Sequence, residues 1–199
     1  ANGVWNEIGV DAMIVGKSDS ASYLSKVANL KGELYTLEVS EDGKHIDAKP
    51  FDGETGELSI RNGFKSGGKL TAAVVNSADG QYSFDLASAA TVKVPAGSYK
   101  LVAGLATKSS ESVRIVQGKM PALEVQPGGE AKLEWGAPVV AEFTFGRDGE
   151  AVKIEPSSLH YYGSAGEEYT SFAPQGASPK FLVYDERTEK LLKTGRFGT

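Results

Sequence analysis

Apolar residues recur at every second position through most of this chain, and each such run ends at a short cluster of Gly, Pro, Asn or Asp. Val92 and Val94 alternate with Lys93 before Pro95-Ala96-Gly97, and Tyr99 and Leu101 alternate with Lys100 after it. The device is repeated where Leu123 and Val125 lead into Gln126-Pro127-Gly128-Gly129; Ala131, Leu133 and Trp135 follow until Gly136 stops the run. A period of two puts successive side chains on opposite faces of a strand. Pro then fixes φ at the start of a turn, and Gly supplies the positive φ beyond it. Thr91 to Gly136 therefore predicts two β-hairpins, and hairpins of this kind predict an all-β chain.

The same reading extends in both directions. Val4 to Gly16 is apolar and β-branched, which suits one long or two short strands. Ser18 to Val27 fits two patterns: a helical turn capped by Asp19 with Tyr23, Leu24 and Val27 on one face, or an edge strand alternating through Tyr23, Ser25 and Val27. Lys31 to Ser40 is a strand with Tyr35, Leu37 and Val39 facing one way. Asp42-Gly43 and Asp52-Gly53 turn the chain within a polar stretch, and Leu58-Ser59-Ile60 is a short strand after it. Leu70 to Val75 and Tyr82 to Leu86 flank Asn76-Ser77-Ala78-Asp79-Gly80 as a hairpin.

Ala137-Pro138 reads as a junction, because Pro cannot donate within a central strand. Beyond it Val139, Ala141, Phe143 and Phe145 alternate, Arg147-Asp148-Gly149 turns, and Val152 and Ile154 return. Ser157 to Ser178 is a long loop or two poorly marked strands. Phe181 to Tyr184 and Lys190 to Lys193 flank a last turn. The expected architecture is two tandem immunoglobulin-like or prealbumin-like antiparallel β-sandwich domains, a larger one at 1–137 and a smaller one at 138–199. Phe197 stands as if in mid-strand, so the second unit reads as truncated.

Composition narrows the function classes. The chain has 199 residues with 24 Gly spread between short apolar runs, as a turn-rich sandwich requires. A net charge of −5 with scattered Lys and Arg argues against nucleic acid, which needs a clustered basic face. Cysteine is absent, which removes disulfides, thiolate catalysis and the usual structural zinc, and leans toward a bacterial protein. No apolar run approaches the roughly 20 residues of a membrane helix, so membrane insertion is not expected.

Leu123 to Pro138, with its strand, Pro-Gly, strand, Trp-Gly and Pro, resembles uncharacterised exported β-sandwich proteins of bacteria, together with the Val92 to Leu101 turn and the closing Phe181 to Phe197 hairpin. Val94-Pro95-Ala96-Gly97-Ser98-Tyr99 is similar to the PxGxY strand turn of prealbumin-like and carboxypeptidase-regulatory-like modules. The resemblance implies periplasmic, cell-surface or secreted placement and no catalysis of the module's own.

Candidate chemistry is sparse. Gly63-Phe64-Lys65-Ser66-Gly67-Gly68-Lys69-Leu70 nearly spells a phosphate loop, but Leu70 replaces the Mg²⁺-binding hydroxyl and the sequence after it is strand-like, so a hairpin loop is favoured. Asp42, Asp47, Asp52, Glu54 and Glu57 crowd one region and could hold Ca²⁺. The EF-hand spacing fails, with Lys44 and Lys49 at ligand places, and a solvated acidic loop is favoured. His45 and His160 are the sole histidines, and neither a G-x-S-x-G elbow nor an H-E-x-x-H helix is present. His45 reads as a surface residue. Glu167-Glu168 is poor acid/base geometry, since adjacent strand residues point apart. His160, Tyr161, Tyr162, Tyr169 and Phe172 are the place to look for a ligand, by sugar stacking or protein contact; the alternative, favoured by how often rings are buried, is a second core. Trp5 and Trp135 are expected in the core. The expectation is a non-enzymatic structural or interaction module of the cell envelope binding an unknown protein, with carbohydrate binding through the Tyr161 group as the alternative and a hydrolase as a distant third.

Overall fold

The computed structural model describes residues 3–16, 21–149, 151–174, 176 and 179–197. Among these residues there is no α-helix. The first part of the chain supplies β1 (Ala12–Met13), β2 (Ser22–Tyr23), β3 (Val27–Leu30), β4 (Glu33–Val39), β5 (Ile46–Pro50), β6 (Thr55–Ser59) and β7 (Phe64–Lys65). Next come β8 (Lys69–Ser77), β9 (Ser83–Asp85), β10 (Val92–Pro95), β11 (Gly97–Lys108), β12 (Glu111–Val116) and β13 (Leu123–Val125). The remainder holds β14 (Glu130–Lys132), β15 (Trp135–Gly136), β16 (Val140–Glu142), β17 (Phe145–Asp148), β18 (Ala151–Ile154), β19 (His160–Tyr162), β20 (Glu168–Ala173), β21 (Lys180–Tyr184) and β22 (Leu191–Arg196), with one 3-10 turn at Pro156–Ser158.

The described strands include one eight-stranded sheet, ordered β16-β19-β20-β12-β11-β8-β9, with β13 also paired to β11. Two three-stranded sheets, β10-β6-β14 and β3-β4-β5, contribute to the same core. Leu58, Ile60, Val92 and Val94 come from one side, Val27 and Leu34 from another, and Val75, Tyr99, Leu101, Ile115 and Tyr169 from the large sheet.

The two Pro/Gly reversals are strand connections, as the alternation requires, but they are not hairpins. β10 pairs with β6, whereas β11 pairs with β8, β12 and β13. Likewise β13 pairs with β11 and β14 pairs with β6. Each reversal therefore carries the chain between the large sheet and the β10-β6-β14 sheet. Alternation fixes which face a strand buries and leaves its partner open: two arms with apolar inner faces can close face to face across a core as well as side by side. Tyr99 locks the first arch, its hydroxyl donating to the Pro95 carbonyl at 2.8 Å inside the core, in the manner of a tyrosine corner.

The antiparallel expectation also needs correction, because β14 runs parallel to β6 and β15 parallel to β7. The chain from Glu130 to Ala137 tracks the chain from Glu57 to Lys65 in the same direction, through Leu133 N–H to Ser59 O, Trp135 N–H to Gly63 O and Ala137 N–H to Lys65 O. Trp135 is fully buried at the end of this run, its indole N–H donating to Ile60 O at 2.8 Å and its ring 4.6 Å from that of Phe64. Gly136 follows with φ +98°, and a Cβ there would meet Lys65 O at 2.2 Å.

Two bulges tune the large sheet. Leu101 and Ala103 of β11 face Val75 and Val74, so Val102 is an extra residue; Leu105 and Ala106 face Ala72 and Leu70, so Thr71 is extra on β8. Each extra residue flips the parity that faces the core, from Tyr99 and Leu101 to Ala106 on one strand and from Ala73 and Val75 to Leu70 on the other.

The junction expected at Ala137-Pro138 does not end the sheet. β16, β19 and β20 extend it from beyond that point. Past Ala137 the buried apolar side chains among the described residues are Tyr169, which belongs to the core already described, and Phe197, whose ring meets those of Phe143 and Phe181 edge to face at 5.3 and 5.5 Å. Val139 to Glu142 and the β17–β18 hairpin are exposed apart from half-buried Ile154. Of Val4 to Gly16, only β1 is a strand, and Trp5, expected inside, is 55% exposed and leans on the turn at Gly43. The helical alternative for Ser18 to Val27 fails where it is described, since Ser22–Tyr23 and Val27 onward are strands; Ser18, Asp19 and Ser20 lie outside the described residues.

Candidate functional site

The aromatic group is split by its own strands. Tyr162 lies opposite Glu168 in the β19–β20 register, which puts Tyr161 and Tyr169 on one face and His160, Tyr162 and Glu168 on the other. β20 then carries an extra residue, because Arg114 faces Thr170 while Ser112 faces Ala173; Ser171 there has φ +49°. This bulge turns Phe172 toward Tyr161, and their rings meet edge to face at 5.5 Å.

On the inner face Tyr161, Tyr169 and Phe172 line a cleft of about 1040 Å³. Ala106 and Val113 form part of its floor, and Val139, Leu159 and Phe197 form its apolar wall. Lys108, Glu111, Ser112 and Ser66 supply the polar rim. Burial pushes the Tyr161 phenol up from its ordinary pKa, and burial plus the Glu167 carboxylate pushes Tyr169 up, so both are neutral donors at neutral pH. The cleft suits an apolar or ring-bearing ligand with hydroxyls at one edge.

On the outer face His160 Nδ1 lies 2.7 Å from Glu168 Oε1, and its ring stacks loosely on Tyr162 at 6.0 Å. Lys119 bonds Glu142 and caps the Tyr162 ring at 4.1 Å from its centroid. That hydrogen bond raises the Lys119 pKa. The Tyr162 face that a sugar ring would use is thus covered by a cation, while Phe172 remains 46% exposed beside the cleft. His160 is not among the described lining residues of the cleft.

Glu167, which the residue pattern did not single out alone, is fully buried between these faces. Its Oε1 accepts from Gly136 N–H at 2.6 Å and Tyr169 O–H at 3.2 Å, and its Oε2 from Ala165 N–H at 3.1 Å. It holds the Gly163–Gly166 turn against β15 and so supports the cleft from behind.

The acidic residues do not converge. Asp42 accepts from the Ser40 hydroxyl at 2.7 Å and Lys44 N–H at 3.1 Å, bonds that lower its pKa. Asp47 sits in β5 opposite Glu38, and Glu57 in β6 opposite Lys93. Asp52 and Glu54 lie in the link before β6, where Glu54 O accepts from Ala96 N–H. Among the described residues no group of three or more His, Cys, Asp or Glu side chains is placed to share a cation. His45 is exposed in the β4–β5 turn. The glycine-rich run from Gly63 leads through β7 and a loop into β8, so no helix N-terminus faces that loop. No protein-family model matches the chain, and no curated protein or solved structure resembles it at a significant level.

Proposed function

We propose that this chain is a non-enzymatic interaction module of an exported bacterial protein. In this reading residues up to Ala137 form a prealbumin-like, immunoglobulin-like sandwich, supported by the tyrosine corner at Tyr99 and the sheet-to-sheet arches. Residues 138–199 are a second unit grafted onto it through β16, β19 and β20. The observation that carries the proposal is the run of bare apolar side chains on that unit. Val140, Phe145, Val152, Leu182, Tyr184 and Leu192 are each about half exposed or more, and on β21 Leu182 and Tyr184 lie on the face opposite half-buried Phe181 and Val183. Two-stranded hairpins are marginal alone and exposed apolar faces of this extent mark contact surfaces.

The test is dye binding by the native chain. 1-Anilinonaphthalene-8-sulfonate fluorescence is expected to rise several-fold on mixing and to fall in a Leu182→Ser/Leu192→Ser variant that keeps the wild-type far-UV spectrum. A native chain that leaves the dye dark would remove the reading.

The second reading, a carbohydrate-binding module, is favoured by the cleft with Tyr161 and Phe172 at its mouth. A glycan array comparing wild type with Tyr161→Ala/Phe172→Ala decides it. Signal at background for the wild type ends the sugar reading.

A further inference from the structure

Strand edges around the core carry protection against pairing with foreign strands. β5 has Asp47, Lys49 and Pro50; β10 has Lys93 and Pro95; β14 is Glu130-Ala131-Lys132. β13 is three residues between Pro121 and Pro127. β3 is covered by β9 and β10, and β9 by β2, with Tyr23 N–H on Ser83 Oγ and Ser83 N–H on Ser25 Oγ.

β16 is the exception. Among the described residues it ends the eight-stranded sheet, pairing with β19 on one side only. Val139-Val140-Ala141-Glu142-Phe143-Thr144-Phe145 contains no Pro, Gly or Lys, and its single charge, Glu142, is already bonded to Lys119. β21 has a comparably bare run from Phe181 to Tyr184, but it belongs to a two-stranded hairpin, whereas β16 continues a sheet with a packed core.

We propose that the free edge of β16 binds the β16 edge of a second copy of this chain, antiparallel about a two-fold axis through Ala141. The proposal rests on the interaction reading above and names its partner. Charge pattern and shape single out this register. Opposed strands must pair residues of equal parity, so a two-fold axis passes through a residue. Centred on Ala141, each Glu142 faces Val140 of the other copy and each Val139 faces Phe143, so no like charges meet and the smallest side chain lies on the axis. Centring on Glu142 would oppose two carboxylates; centring on Val140 would set Phe143 against Ala137 and forfeit the Val139–Phe143 contact. Val139, Ala141 and Phe143 share the face of Tyr161, since Ala141 lies opposite Tyr161, so the contact joins the apolar walls of the two clefts.

A short edge contact buries less than the roughly 1,200 Å² of a standard stable interface, so the dimer is weak and concentration-dependent, with Kd on the order of tens of micromolar. Sedimentation equilibrium on the full chain should show a mass of 21.0 kDa rising toward twice that as concentration increases. Ala141→Lys sets two ammonium groups on the axis and should hold the chain at 21.0 kDa throughout, with far-UV spectrum and Tm unchanged. In a mixture of isotope-labelled and unlabelled chains, an intermolecular contact between Val139 and Phe143 should appear in the wild type only. A wild type that stays monomeric at several hundred micromolar, or a dimer that survives Ala141→Lys, overturns the proposal; so does a monomer that binds only foreign strand peptides. These outcomes are separable from the dye test: a monomer that still binds the dye retains the interaction surface and loses only self-pairing.

Discussion

Glu167 shows how one side chain joins the fold to the candidate site. All three of its described donors are neutral, two of them backbone N–H groups of Gly136 and Ala165 and the third the Tyr169 hydroxyl. Replacing it by Ala would orphan two buried donors, Gly136 N–H and Tyr169 O–H, each costing about 1–3 kcal/mol when left unpaired, and the half-buried Ala165 N–H. Partial relaxation leaves an expected loss of about 3 kcal/mol in urea unfolding. Glu167→Gln keeps the shape and one acceptor and should lose about half as much. An Ala variant as stable as wild type would mean the turn is held otherwise. Tyr99→Phe isolates a single bond: it removes the donor to Pro95 O and keeps the ring, for an expected loss of about 1 kcal/mol by the same measurement. Of these two residues, Tyr99 was visible in the sequence within its PxGxY run. Glu167 was not, since beside Glu168 it reads as surface acid, and its burial depends on Gly136 and Tyr169 arriving from elsewhere in the chain.

At the scale of elements, period-two alternation located most strands and misassigned their partners at the two Pro/Gly reversals. The hairpins at Asn76–Gly80, Arg147–Gly149 and Asp185–Glu189 do pair arm to arm. There the turn residues lie between arms of one sheet, whereas at Pro95–Gly97 and Gln126–Gly129 both arms bury inner faces against each other. No local feature separates these cases, because the deciding partner, β6, lies more than thirty residues upstream of β10 and more than seventy upstream of β14. β5 is hidden for a different reason: Ile46 and Ala48 alternate with Asp47 and Lys49, but the run is short, ends in Pro50 and lies between the Asp42-Gly43 and Asp52-Gly53 turns, so it reads as loop. The aromatic group was read as one patch, yet alternation along β19 and the bulge at Ser171 divide it between two faces. Because the chain lacks cysteine, pairing can be tested by cross-linking. Lys93 and Glu57 are opposed in β10 and β6, so Lys93→Cys/Glu57→Cys should oxidise readily to an intramolecular disulfide. Lys93→Cys/Lys100→Cys, opposed in a hairpin, should not. The reverse pattern would restore the hairpin.

The whole molecule stakes its stability on neutral phenols inside a core shared by several sheets, and this fixes its behaviour with pH. On the acid side Asp42, Asp79 and Asp185 are held below the ordinary carboxylate pKa by bonds from Ser40, Ser77 and Thr188. A lowered folded value gives stability that is present above about pH 4 and lost as pH falls through the folded pKa, so these groups weaken the fold only in strong acid. On the alkaline side Tyr99 is pushed up by burial, and Tyr169 by burial and the Glu167 carboxylate. A raised folded value holds stability below about pH 10, where the unfolded phenol begins to ionise, and loses it as pH rises toward the folded pKa. The chain has eight tyrosines. Tyrosinate absorbance should therefore rise in two phases, an early reversible one from the accessible rings and a late one from Tyr99 and Tyr169 that coincides with loss of the far-UV β signal. Tyr161, raised by burial but only half-buried, should close the first phase. In Tyr99→Phe the late step should shrink by one phenol and move to lower pH, because the arch has lost its clasp. If all eight rings titrate together while the β signal stays intact, Tyr99 and Tyr169 are not sealed in a common core, and the joining of residues beyond Ala137 to that core through Tyr169 fails with them.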